Sequence, residues 1–341
     1  MKLKNIIVLF VLLIFTHVAC NNRGRSISPK PPVCNMSGFA KGADISWVTE
    51  MEKAGKKFYN YSGREMECME LMRELGMNSI RLRVWVSPVN GWCDKNDLLV
   101  KASRAHDLGM RLMIDFHYSE TWADPGQQKK PTAWESLSFE ELKKAVAGHT
   151  SDVLNALKSI NITPEWIQIG NETSNGMLWE DGKDAAKYAA LNNAGYDAAK
   201  SVFPNAKMII HIHSGQDNPL FRWAFDRLKE NNAKWDIIGM SLYPSASNWK
   251  EQNKLCIANV NDMISRYGKD VMICEVGMPW DDPEAGKAFL TDLIARAKAV
   301  ANDKCLGVFY WEPQSYGNWN GYTLGAFDNS GKPTVAMEAF K

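Results

Sequence analysis

Short stretches rich in β-branched and apolar residues recur along the chain, separated by longer stretches whose apolar residues repeat at helical spacing. The short runs cover residues 39–47, 79–86, 111–119, 166–172, 207–213, 235–244, 271–279 and 306–313. The longer pattern predicts helices over 64–75, 98–108, 139–160, 184–202, 219–230, 254–267 and 283–301. Strand and helix therefore alternate along nearly the whole chain, which predicts a parallel sheet covered by helices.

Eight strands with no second compositional regime favour an α/β fold of one domain, a closed (β/α)8 TIM barrel. A doubly wound open sheet fits less well. No glycine-rich phosphate turn follows any strand, and Asp44-Ile45-Ser46-Trp47 stands where one is expected. In a barrel, chemistry is built at the carboxyl ends of the strands. Those ends are polar and aromatic here: Asp44, Arg81 and Arg83, Asp115 with His117, Asn171-Glu172, His211 with His213, Tyr243, Glu275, and Trp311-Glu312. Packing alone would close strands with Val, Ile or Gly, so these ends predict one shared polar cavity.

Charge narrows the partners. The chain has 40 Lys+Arg against 39 Asp+Glu and no basic run long enough to follow a phosphate backbone, which excludes nucleic acid. Thirteen Trp is a high count that a large aromatic core can absorb, except for those at strand ends.

The first residues combine a basic start, Lys2 and Lys4, with an apolar run too short to span a bilayer, as an export signal does. The run ends at Val18-Ala19-Cys20, similar to a bacterial lipoprotein cleavage box, although His17 is an unusual residue there. The expected organisation is a signal peptide over 1–20 with Cys20 lipidated, a polar, Pro-rich tether over 21–37, and a catalytic domain over 38–341. The protein is then an exported monomer, periplasmic or at the outer membrane or cell surface, that meets membrane only through its lipid. Cys34, Cys68, Cys93, Cys256, Cys274 and Cys305 show no C-x-x-C spacing, which argues against zinc, while export permits disulfides of open pairing.

Glu172 ends the fourth run and Glu275 lies in the seventh, so a closed barrel brings both to its upper face. Two carboxyl groups about 5–5.5 Å apart suffice for glycosidic hydrolysis with retention, one attacking the anomeric carbon and one protonating the departing oxygen. Each glutamate alone is better explained as a helix-start residue or as an arginine partner. The pair, with Asn171 placed to hold a sugar 2-hydroxyl, reverses that balance.

At these residues the chain resembles the clan A glycoside hydrolases, and among them the endo-β-1,4-galactanases of glycoside hydrolase family 53. The resemblance is carried by Gly42-Ala43-Asp44-Ile45-Ser46, Arg81-Leu82-Arg83-Val84-Trp85, Asp115-Phe116-His117-Tyr118, Gln168-Ile169-Gly170-Asn171-Glu172 and Tyr310-Trp311-Glu312-Pro313. It extends from Phe39 almost to the C-terminus. It implies Glu172 as acid/base, Glu275 as nucleophile and a β-1,4-galactan substrate. Arg83 would keep Glu275 ionised, with Arg81 deeper and of less account. His117 and His211 would surround the cleaved sugar, and Tyr243 would hold the nucleophile. Trp311 would form the stacking platform, joined by Trp122, Trp85 and Trp319, and Asp44 would anchor the site from below; Trp134 is expected to pack. His213 departs from the family's pattern.

Some bacterial members hold calcium in long loops after the last strands. Here Glu275-Val276-Gly277-Met278-Pro279-Trp280-Asp281-Asp282-Pro283 leads directly into a helix, and the adjacent Asp281 and Asp282 lack calcium-loop spacing, so no metal or other cofactor is expected. Two other readings remain open: a clan A endo-glycanase of mannan, xylan or β-glucan, and a non-catalytic glycan-binding lipoprotein.

Overall fold

The computed structural model describes residues 38–341. The expected signal peptide, the Cys20 lipidation site, the tether and Cys34 lie outside the described residues.

Eight strands close into a parallel barrel: β1 (Ala40–Asp44), β2 (Ser79–Val84), β3 (Arg111–Phe116), β4 (Trp166–Ile169), β5 (Lys207–Ile212), β6 (Ile237–Leu242), β7 (Asp270–Val276) and β8 (Cys305–Trp311). Each pairs with its sequence neighbour, and β1 closes the ring against β8, Gly42 lying opposite Phe309. Gly42 is required there, because an added Cβ would fall 2.1 Å from the Phe309 ring.

Helices α1 (Val48–Lys53), α2 (Cys68–Glu74), α3 (Lys95–Asp107), α4 (Phe139–Ser159), α5 (Ala185–Val202), α6 (Asn218–Glu230), α7 (Trp249–Tyr267) and α8 (Pro283–Lys298) surround the strands. Their starts follow local chemistry. Asp94, Asp184, Asp217 and Asp282 each accept a hydrogen bond from a first-turn amide, and Ser138 with Glu141 forms a reciprocal capping box. The first predicted helix begins later than its pattern suggests. Glu67 caps it by accepting from the Glu70 amide, while Glu65–Met66 pairs with Phe58–Tyr59 in a small hairpin.

Strand alternation separates two cores. Along β2, Ile80, Leu82 and Val84 join the helix-facing core, leaving Arg81 and Arg83 on the opposite parity. The floor of the barrel is an apolar plug that includes Ala40, Met113, Trp166, Met272 and Phe309. Charged and amide side chains occupy the layer above it. Trp134 packs in the helix-facing core, as expected.

Cys68, Cys93, Cys256, Cys274 and Cys305 are buried free thiols, so no disulfide joins any two of these five.

Candidate active site

Glu275 comes one residue before the end of β7 and is 6 % exposed. Its Oε1 forms a 2.8 Å ion pair with Arg81 Nη1, and its Oε2 accepts a 2.9 Å hydrogen bond from the Tyr243 hydroxyl. Arg81 is fully buried, and its guanidinium also reaches Asp44 (2.8 Å), Asp115 (2.9 Å), Asn171 Oδ1 (3.0 Å) and Gln168 Oε1 (3.1 Å). The buried charge is thus paired on several sides, which is what makes its desolvation tolerable. Asp44 meets Arg81 through Oδ2, and its other oxygen accepts from the Ser46 hydroxyl at 2.5 Å.

The arginine beside Glu275 is Arg81, which corrects the expectation for Arg83. Arg83 turns to the neighbouring wall, where Nη1 lies 2.7 Å from Glu312 Oε1. Its guanidinium carbon stands 4.6 Å from the Trp122 ring centre, 5.2 Å from Trp85 and 5.3 Å from Trp47. Arg83 therefore backs an aromatic wall by cation–π contact. Glu312, 0 % exposed, also accepts from the Trp47 amide and from Gln314 Nε2, and burial pushes its carboxyl up to about 7.

Glu172 follows β4 across Gly170 and Asn171, and the turn places Glu172 at φ 47° and Gly170 at φ 83°. A non-glycine residue in this left-handed region costs free energy that the surrounding contacts must offset. One contact is the Ser241 hydroxyl, 2.6 Å from Glu172 Oε1. Behind it, His211 Nε2 lies 2.8 Å from Ser241 Oγ, and His211 Nδ1 lies 3.1 Å from Gln168 Nε2. Burial, with Arg81 nearby, holds the His211 imidazole well below its ordinary pKa and hence neutral. His211 Nδ1 also lies 3.0 Å from Asn171 Oδ1, so the imidazole links the Ser241 hydroxyl beside Glu172 to the amides of Gln168 and Asn171.

One carboxylate oxygen of Glu172, one of Glu275 and a ring nitrogen of His211 lie within 4.8 Å of one another. Burial and the nearby Glu275 charge push the Glu172 carboxyl up to about 8. Burial also raises Glu275, with Arg81 opposing. Among the described residues, this trio is the one cluster of ligand-type side chains near enough to converge on a metal ion. Its donors are already engaged by Arg81, Tyr243 and Ser241, and a guanidinium 2.8 Å from Glu275 repels a second cation.

A cavity of about 260 Å³ opens over the pair, bordered by His117, Trp122, Asn171, Tyr243, Trp311 and Tyr322 among others. The rings of Trp47, Trp122, Trp311 and Tyr322 meet edge to face, with centres 4.7–5.8 Å apart where they touch. Both His117 nitrogens are taken, Nε2 by Asp115 at 3.0 Å and Nδ1 by the Ala123 amide at 3.3 Å, so the imidazole shapes the wall instead of offering a free nitrogen. His211 stays behind Ser241. His213 pairs with Ser174 at 3.1 Å, and Trp319 packs on a short turn near Lys56; neither borders the cavity.

Ser241 and Gln168 join the site beyond the residues expected there, and Glu312, expected only as a polar strand end, pairs with Arg83. Tyr322 comes from irregular chain after β8 that carries no periodic signal.

Residues 40–340 match the model of glycosyl hydrolase family 53. An uncharacterized protein encoded 5′ of bgaB in Niallia circulans is 33 % identical over 347 residues, covering 89 % of this chain and 93 % of its own. A "probable arabinogalactan endo-beta-1,4-galactanase A" of Neosartorya fischeri is 32 % identical, covering 80 % and 83 %. A solved structure from a study of two fungal β-1,4-galactanases superposes with a TM-score of 0.82 at 28 % identity, covering 89 % of this chain and 99 % of that one.

Proposed function

The chain belongs to glycosyl hydrolase family 53, and from that premise we propose that it cleaves β-1,4-galactan internally with retention, Glu275 attacking and Glu172 serving as acid and then base. The observation that carries this reading is the approach of the two carboxylates to within 4.8 Å, near the spacing of about 5–5.5 Å in double displacement and well short of the about 6.5–9.5 Å that inverting enzymes keep.

The proton starts on Glu172, whose carboxyl is raised to about 8, while Arg81 and Tyr243 favour the anion on Glu275. Ser241 occupies Glu172 Oε1, which leaves Oε2 to carry that proton toward the glycosidic oxygen. Glu275 attacks the anomeric carbon, the bond to the leaving sugar breaks, and the proton passes to its oxygen. Glycosylation removes the Glu275 charge that had raised Glu172, so Glu172 becomes the better base and draws a proton from the incoming water. In this reading Asn171, which borders the cavity and has one amide hydrogen on the Ala123 carbonyl, gives its other to the sugar 2-hydroxyl, and Trp311 with Trp122 offers aromatic surface to the C–H face of galactose.

Reducing ends released from potato galactan, mannan and xylan, measured in parallel, test the substrate; silence on galactan with turnover of mannan or xylan would assign the same chemistry to another polymer. The anomer formed first, followed by NMR, tests retention. Glu275→Ala, which should bind galactan without cleaving it, separates enzyme from binding protein. Export with a lipid on Cys20 is proposed alongside, and metabolic labelling with a fatty-acid analogue, compared with Cys20→Ala, tests it.

A further inference from the structure

The cavity over the two glutamates, about 260 Å³, falls below the roughly 300–1,000 Å³ of sites that enclose a drug-sized ligand. A polymer of several sugars must find further contacts outside it. A second depression of about 380 Å³ lies on the same loop: Ser119 and Glu120 border it, and the next residues, Trp122 to Asp124, border the catalytic cavity. Its aromatic wall is Trp179, with Lys129, Lys130 and Glu135 around it.

Trp179 is held in place by three contacts. Its amide donates to the Gln128 carbonyl at 2.7 Å, its indole Nε1 donates to the Asn175 carbonyl at 3.0 Å, and Lys183 Nζ stands 4.6 Å from its ring centre. Gln128 Nε2 in turn donates to the Asn171 carbonyl at 2.8 Å, so the wall is coupled to the residue beside Glu172. A partly exposed indole held in this way has already lost most of the freedom that ligand binding would otherwise take from it.

The lining also limits what can bind. Its charged lining residues are Glu120 and Glu135 against Lys129 and Lys130, two of each sign; Lys130 also pairs with Asp181 at 2.6 Å, and Glu120 accepts from the Thr132 amide and hydroxyl. Without net charge, the depression has no preference for a uronate or phosphate. Donors and acceptors beside an aromatic face suit a neutral, hydroxyl-rich ring.

We propose that this depression is a distal subsite that seats a neutral hexosyl unit of the substrate, with Trp179 as its stacking surface, on the leaving-group side of the cleavage point. The side follows from the acid/base assignment, on which the proposal rests: the group that protonates the departing oxygen and Trp179 are carried by the same loop after β4.

The test compares kcat/KM on linear β-1,4-galactan with that on 4-nitrophenyl β-1,4-galactobioside, whose leaving group ends at one aryl ring. Trp179→Ala should lower the ratio of the two about tenfold, mainly through KM on the polymer, and Trp179→Phe should restore most of it. An unchanged ratio in Trp179→Ala, including equal losses on both substrates, overturns the subsite. Should Trp179→Ala fail to fold, the exposed pair Lys129→Ala/Glu135→Ala decides by the same ratio. Wild-type inactivity on both substrates would instead refute the galactanase reading and the subsite with it.

Discussion

Arg81 Nη1 lies 2.8 Å from Glu275 Oε1 and equally 2.8 Å from Asp44 Oδ2, in a guanidinium with no solvent exposure. The nucleophile's charge is therefore held by a cation that is itself fixed from below. Arg81→Lys keeps the charge but loses the fork that reaches Asp44, Asp115 and Glu275 together. It should lower kcat/KM on an aryl galactobioside by about 10²-fold, the cost of a misplacement near 1 Å. Because Arg81 lowers the Glu275 carboxyl, the acid limb of the pH profile should move upward in the variant; a limb that stays put would detach Arg81 from the nucleophile's titration.

Removing the acid gives a second expectation. Glu172→Ala should slow galactan cleavage by about 10²–10⁴-fold but spare the first step on substrates with a dinitrophenyl leaving group, which needs no proton. With Glu172 intact, kcat/KM should fall as pH rises through about 8, where the acid loses its proton. Rates measured on both substrates across pH 4–10 check both statements.

Ser241→Ala removes the hydrogen bond that lowers the Glu172 carboxyl. The basic limb should then move to higher pH while kcat falls modestly. A downward shift would mean that Ser241 stabilises the protonated acid instead.

Glu312 lies away from the two reacting glutamates, and its removal tests stability. Glu312→Ala leaves the Arg83 guanidinium buried without its carboxylate and should cost about 3–5 kcal/mol in urea unfolding. The sign with pH is also set. A carboxyl raised to about 7 in the fold, against about 4.3 unfolded, binds its proton more tightly when folded. Its contribution is therefore fully present below about 4.3 and is lost as pH rises through 7. Wild type should lose stability relative to Glu312→Gln across that window.

Most of the barrel was legible in the sequence because parallel strands covered by helices give long, regular patterns, and all eight runs became strands. The Phe58–Tyr59 hairpin was not, since two-residue strands are too short to show alternation. At the site, parity places both Arg81 and Arg83 on one face of β2 but does not say which of them meets β7. That depends on the tilt and stagger of the closed ring, through which Arg83 faces Glu312 on β8's end instead. The left-handed turn at Glu172 leaves no compositional mark beyond Gly170. The distance between Trp319 and the cavity arises in irregular chain, where no period predicts direction.

The edge-to-face meeting of Trp47, Trp85, Trp122 and Trp311, with centres 5.1–5.8 Å apart at each contact, has an optical consequence. Indole transition dipoles this near one another mix, so the nest should give an intense near-ultraviolet circular dichroism couplet. Two of its rings border the cavity, Trp122 and Trp311. Occupancy can thus be followed spectroscopically without attaching a dye.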